Sequence, residues 1–166
     1  MKTEKFKVTP LERAWILYDV GNSAFVLLVA TLIPIFFNAL AEEGDPHFLS
    51  LPHPHTPGKY DYSFSGMKTA FLNAANKMEM KGEPLPKADM AASFRYAVVS
   101  ALVEKAMLAA KDTHAPALAM AGGVSANRLL RRMMQEAADK AHLPLYMPRL
   151  DLCTDNAAMI GSAAYY

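Results

Sequence analysis

Hydrophobic and polar positions follow three rhythms along this chain. From residue 20 to 41, VGNSAFVLLVATLIPIFFNALA, no side chain carries a charge. Those 22 residues match the roughly 20 that carry a helix across a bilayer. Thr9, Pro10 and Glu12 ahead of them form a helix-start signature, a hydroxyl, a first-turn proline and an acid. Asp19 and Asn22 are unusual for a plain anchor. Three readings stay open for residues 20–41: a membrane helix, a signal peptide ending at Ala39-Leu40-Ala41, and a buried helix of a globular domain.

The rhythm changes after Glu42. Residues 44–60 hold four prolines and read as an irregular loop. DYSFS, 61–65, alternates as a short strand would, and GMKTAFLNAANKM reads as a helix after it. EMKGEPLPK is a linker broken by Gly82, Pro84 and Pro86. From Ala88 to Lys111, Met90, Phe94, Ala97, Val98, Ala101 and Leu102 mark one helical face. Val99, Val103 and Ala106 widen that stripe, which predicts burial on more than one side. APALAMAGG reads as a short buried strand ending in a glycine turn. Ser125–His142 reads as a helix, LPLYM as a strand and Asp155–Tyr166 as a last helix. Helices alternating with short strands predict an α/β unit with a partly parallel sheet.

Composition narrows the function classes. Hydrophobic residues make up 52% and charged residues 20%, enough for a packed core. Seventeen basic against sixteen acidic side chains argue against a basic footprint over the whole domain. A single cysteine, Cys153, excludes an internal disulfide and reads as a small core residue.

Two segments carry candidate chemistry. In AGGVSANRLL, Gly122 and Gly123 leave a strand end without Cβ atoms, so backbone can approach a ligand. The helix start behind them favours polar or anionic groups. The bland alternative is a tight turn with Ser125 or Asn127 as helix cap. In DLCTDNAAMIG, Asp155 is a candidate metal ligand or ligand-facing acid, against a plain capping role for Asp155 or Asn156. His53 and His55 in LPHPH lack a fixed geometry for metal, and His47, His114 and His142 follow no ligand spacing. Arg128, Arg131, Arg132 and Lys140 on one helix read as a solvated face, with phosphate contact as the alternative.

YSFSGMKTAFLN, DMAASFRYAVVSALVEKA, AMAGGVSANRLLRR and PRLDLCTDNAAMIG together resemble the C-terminal part of the bacterial and organellar tRNA N6-adenosine threonylcarbamoyltransferase family, over residues 40–166. The resemblance implies the C-terminal lobe of an actin-like, two-lobed α/β fold. It implies transfer of threonylcarbamoyl from its adenylate to the adenosine beside the anticodon. It places Asn127, Gly122 and Gly123 at the substrate and Asp155 at one divalent metal of iron or zinc type. The implied partners are tRNA, the threonylcarbamoyl-adenylate and the proteins of the transfer complex, in the cytoplasm. The family's His-x-x-x-His pair, its N-lobe phosphate hairpin and its substrate-binding aspartate and glycine have no counterpart here. LPHPH stands where the family has LPRP. An incomplete enzyme, inactive alone, is the expectation.

RAWILYDVGNSAFVLLVATLIPIFF, residues 13–37, resembles the first transmembrane helix of a major-facilitator-type transporter, the likeness covering roughly residues 11–40. The expected organisation is a hydrophobic, transporter-like segment over 1–41 and a partial lobe over 42–166. Lys2, Lys5, Lys7 and Arg13 would keep the N-terminus cytoplasmic if residues 20–41 insert, and a single span would carry 42–166 to the other side. A membrane-associated, non-catalytic protein and a chimeric chain joined near Ala41–Gly44 are the alternatives to the enzyme fragment.

Overall fold

The computed structural model describes residues 9–11, 13, 14, 17, 18, 33–53, 56–154 and 156–165. Most of the uncharged segment, residues 20–32, and Asp155 and His55 lie outside them. Arg13 N–H donates to the Thr9 carbonyl at 3.0 Å, as a helix starting there requires. The described helices are α1 (Ile33–Glu42), α2 (Ser65–Met80), α3 (Lys87–Asp112), α4 (Arg128–Lys140) and α5 (Ala157–Tyr165). Two strands, β1 (Leu118–Ala119) and β2 (Leu145–Tyr146), pair in parallel with Leu118 opposite Leu145. Short 3₁₀ turns cover Gly123–Ala126 and Leu150–Leu152.

The spine is α3. No glycine or proline interrupts its 26 residues, which make it about 39 Å long at 1.5 Å per residue. Its wide apolar stripe is buried on two sides. Near its start, Ala91 and Ala92 receive Ala41, Phe37 and Leu40 of α1. Small residues at that contact let the two helices approach closely. Phe94 meets Phe37 edge-on at 6.4 Å and Phe71 of α2 at 5.2 Å, an arrangement that aromatic quadrupoles favour. Further along, Val99 and Val103 pack with Leu130 and Met134 of α4, and Leu118 and Leu145 lean on that cluster.

The proline-rich loop is strapped along α3. Gly44 lies so close that a Cβ there would collide with the Ala88 carbonyl. Asp45 N–H donates to Asp89 Oδ1 at 2.8 Å. Buried Ser93 donates to the Asp45 carbonyl and accepts from Leu49 N–H, at 3.2 and 3.0 Å. Arg95 donates to the Asn38 and Ala41 carbonyls at 3.2 and 2.9 Å, satisfying carbonyls at the end of α1 that its own helix leaves open. Further on, Lys59 and Tyr60 both hold Asp112, at 2.5 and 2.7 Å. The Lys59 hydrogen bond, then that of Tyr60, draws the Asp112 carboxyl below its ordinary range.

Several expectations are corrected. Residues 61–64 form no strand, and α2 starts at Ser65. Tyr62 and Phe64 stack on each other at 6.1 Å, and the Tyr62 hydroxyl donates to the Leu102 carbonyl on α3, leaving no partner strand to alternate against. β1 is not buried: Leu118 is half-buried and Ala119 exposed, because helices cover one side only. His114 and His142, which follow no ligand spacing, occupy the left-handed residue after α3 and α4, at φ 51° and 52°. Ala115 N–H then reaches the Ala110 carbonyl, and Leu143 N–H the Ala138 carbonyl, each at 2.9 Å, closing both helices in the manner usually given to glycine. Among the described residues no helix is long and apolar enough to cross a membrane.

Ser93→Ala leaves the Asp45 carbonyl and Leu49 N–H without their buried partner, and should cost about 1–3 kcal/mol in denaturant unfolding. Hydrogen exchange at Leu49 should accelerate with it. His142→Gly removes left-handed strain of about 1–2 kcal/mol, partly offset by glycine's larger unfolded-state entropy. A raised melting temperature is the expected readout.

Candidate functional site

The glycine turn sits where β1 meets α4, and its geometry follows from three backbone demands. Gly122 adopts φ 80°, and nothing lies within 4 Å of where its Cβ would be. Conformation, not crowding, therefore requires glycine there. Its carbonyl accepts from Ser125 N–H at 2.9 Å and from Ser125 Oγ–H at 2.6 Å. Ser125 is buried at 2% exposure, so that hydroxyl is an internal brace, not a ligand contact. At Gly123 a Cβ would stand 3.9 Å from the Thr154 methyl, which places the CTDN segment beside the turn.

Asn127 is the cap of α4. Its Oδ1 accepts from Leu130 N–H at 3.1 Å, and its Nδ2–H donates to Asn38 Oδ1 at 3.2 Å. The expected helix over Ser125–His142 is corrected accordingly: Gly123–Ala126 is a 3₁₀ turn and the α-helix starts at Arg128. Asn38, on α1, was not among the sequence candidates. A lone asparagine in an apolar run carries no periodic signal.

Arg131 corrects the expected solvated face. It is half-buried, and its guanidinium donates from Nη1 to the Ser125 carbonyl and from Nη2 to the Pro148 carbonyl, both at 2.9 Å. Cys153 Sγ stands 3.9 Å from the same Nη1 and donates to the Arg149 carbonyl at 3.3 Å. One planar side chain thus ties the glycine turn to residues 148–153. Arg128 and Arg132 remain exposed, paired loosely with Glu42 at 3.6 Å and Glu136 at 3.9 Å.

The metal expectation finds no completed site. Among the described residues no three of His, Cys, Asp and Glu could hold an ion together. Asp155 itself lies outside them. Of its near neighbours, Asp151 is engaged by Arg149 at 3.1 and 3.2 Å, and Cys153 is buried and bonded as above. Asn156 caps the last helix: Oδ1 accepts from Met159 N–H at 3.1 Å. His53 stands 3.6 Å from Glu104 on the surface. These donors do not fit a resident metal.

A family model described as tRNA N6-adenosine threonylcarbamoyltransferase matches residues 26–162. The glycine turn, its capping asparagine and the CTDN segment all fall inside that match. The chain belongs to this family. It is 48% identical over 132 residues to the tRNA N6-adenosine threonylcarbamoyltransferase of Desulfitobacterium hafniense, covering 79% of this chain and 39% of the relative. Relatives of the same name from Moorella thermoacetica and Fusobacterium nucleatum are 45% and 44% identical over 76% and 75% of this chain. The chain spans 36 to 39% of the length of these three threonylcarbamoyltransferases. The transporter resemblance over residues 11–40 finds no support, since the family match already begins at residue 26.

Arg131→Gln removes two charge-assisted hydrogen bonds to backbone carbonyls, each worth about 1.5–3 kcal/mol. The chain should lose stability, and residues 148–153 should exchange amide hydrogens much faster than α3. Arg131→Lys should fail to rescue it, because one ammonium does not reproduce the fork.

Proposed function

We propose that this chain is the C-terminal part of a tRNA-modifying enzyme. The whole enzyme transfers threonylcarbamoyl from its adenylate to N6 of the adenosine beside the tRNA anticodon. The new bond joins N6 to the carbamoyl carbon, the bond from that carbon to the adenylate phosphate oxygen breaks, and N6 loses a proton. The adenylate is a good leaving group, so positioning and charge stabilisation matter more than a protein nucleophile. The observation that carries the reading is the family match over residues 26–162, which contains the turn and its asparagine cap.

In this reading Gly122 and Gly123 offer open backbone to the adenylate and Asn127 a side-chain contact. Asp155 is one carboxylate of a divalent metal site of iron or zinc type. The remaining donors come from the part of the relatives' length that this chain does not span. A test of activity therefore supplies the rest of the relatives' length as a complementary N-terminal lobe. Its other partners are the proteins of the transfer complex, and its compartment is the cytoplasm.

The test is complementation by the missing lobe of a relative, with modified tRNA nucleoside as readout. Asp155→Ala should abolish any restored modification; undiminished product sinks the assignment. Asn127→Asp keeps an equally good cap oxygen and removes the Nδ2 donor. It should leave thermal stability near the parent's while modification falls at least tenfold.

A further inference from the structure

A cavity of about 340 Å³ lies between α3, the first turn of α2 and the strap over residues 46–53. That is near the lower end of the roughly 300–1,000 Å³ of small-molecule sites, so it suits an occupant with the bulk of about one ring. One wall is a single stripe of α3. Ser93, Ala97, Ser100 and Glu104 recur every three or four residues and so share a helical face. Both serines are buried, at 1% and 9% exposure, but they differ in what they hold. Ser93 serves the strap through Asp45 and Leu49. Ser100 lines the cavity, and its Oγ has no hydrogen-bond partner among the described residues. A buried hydroxyl left unpaired is destabilising, and folded proteins rarely leave one unanswered. A water would answer the hydroxyl alone; the rest of the lining points to more than water.

Glu104 stands one helical turn beyond Ser100, and such a pair lies about 5–6 Å apart at Cβ. One ammonium between them can donate to both oxygens. The tie of Glu104 to His53 is long, 3.6 Å, and the two side chains are 64% and 69% exposed. An exposed pair of that kind holds its partner weakly. No lysine or arginine is among the described residues that line the cavity. Lys105, next in sequence, is engaged elsewhere: its ammonium donates to Thr56 Oγ1 and the Lys59 carbonyl, at 3.1 and 3.3 Å. The remaining walls suit an apolar body beside a cation. Leu49, Leu51 and Met67 line the cavity. So do His47 and Tyr96, whose rings meet edge-on at 4.9 Å, and a tyrosine face attracts a cation.

We propose that this cavity binds a small organic amine. Its ammonium donates to Ser100 Oγ and to the Glu104 carboxylate, and its ring-sized apolar body lies against Leu49, Met67 and Tyr96.

The experiment is calorimetric titration of the full chain with phenethylammonium, with amide NMR shifts to locate it, at mildly alkaline pH, where a free imidazole is neutral. The parent should bind, and the shifts should gather on the strap and on the α3 stripe from Ser93 to Glu104. Glu104→Gln changes an exposed side chain and should not disturb folding, yet it should weaken binding about tenfold by removing a charged acceptor. Ser100→Ala should weaken binding about threefold or more. It deletes an unpaired hydroxyl, so the melting temperature of the free chain should be no lower than the parent's. Glu79→Gln, exposed on α2 and outside the cavity, should leave the affinity unchanged. Phenethyl alcohol, the same body without charge, should bind about tenfold more weakly or worse, and the anion hydrocinnamate should not bind. No binding by the parent, equal affinity for the alcohol, or parent affinity in Glu104→Gln overturns the proposal. Parent affinity in Ser100→Ala also overturns it, because water alone then answers that hydroxyl.

Discussion

The position of the glycine turn depends on the apolar seam between α3 and α4. β1 and β2 are two residues long each, and a two-stranded sheet of that size does not hold itself together in water. What fixes it is Val99, Val103, Leu130 and Met134, against which Leu118 and Leu145 both pack. Two backbone bonds finish the register, Leu118 N–H to the Pro144 carbonyl and Met120 N–H to that of Tyr146, at 2.8 and 2.9 Å. The seam places β1, β1 aims Gly122, and the left-handed φ of Gly122 turns the chain into α4. Geometry at the site is therefore inherited from packing some distance away.

Polar groups then do what the short sheet cannot. Arg131 holds the turn to residues 148–153 through two carbonyls, and Asn127 holds it to α1 through Asn38. Glu42 and Arg128 add a weaker link between the same two helices. Arg95 caps the end of α1 at the price of desolvation, which lowers its pKa, while Glu42 nearby raises it. Arg131, Asn127, Asn38, Glu42, Arg128 and Arg95 thus all have structural duties.

Much of this architecture was legible in the sequence because periodicity reports burial. The α3 stripe, Met90 to Val103, was wide on paper and is buried on two sides in space. Asn127 as a cap was one of two stated readings, and its hydrogen bond to Leu130 bears it out. What failed to show were long-range duties. Arg131 looks like its neighbours Arg128 and Arg132 because one helical turn places them close in sequence, yet only a tertiary partner decides which is buried. DYSFS alternates like a strand, but alternation needs a facing strand, and here its aromatics find each other and α3 instead. The histidines after α3 and α4 occupy left-handed caps where glycine is the usual signal, so composition pointed elsewhere.

The hydrogen bonds of Asn127 also decide what it can offer a ligand. Accepting from Leu130 N–H fixes which end of the amide is oxygen. That bond caps a 13-residue helix, and giving it up would cost about 1 kcal/mol. The bond from Nδ2 to Asn38 Oδ1 joins two partly exposed neutral amides, and its net worth is about 0.5–1.5 kcal/mol, replaceable by any acceptor of similar geometry. Nitrogen is the end that can be exchanged, because a ligand oxygen compensates its loss, whereas nothing compensates the uncapped Leu130 amide. A ligand reaching Asn127 therefore meets a donor.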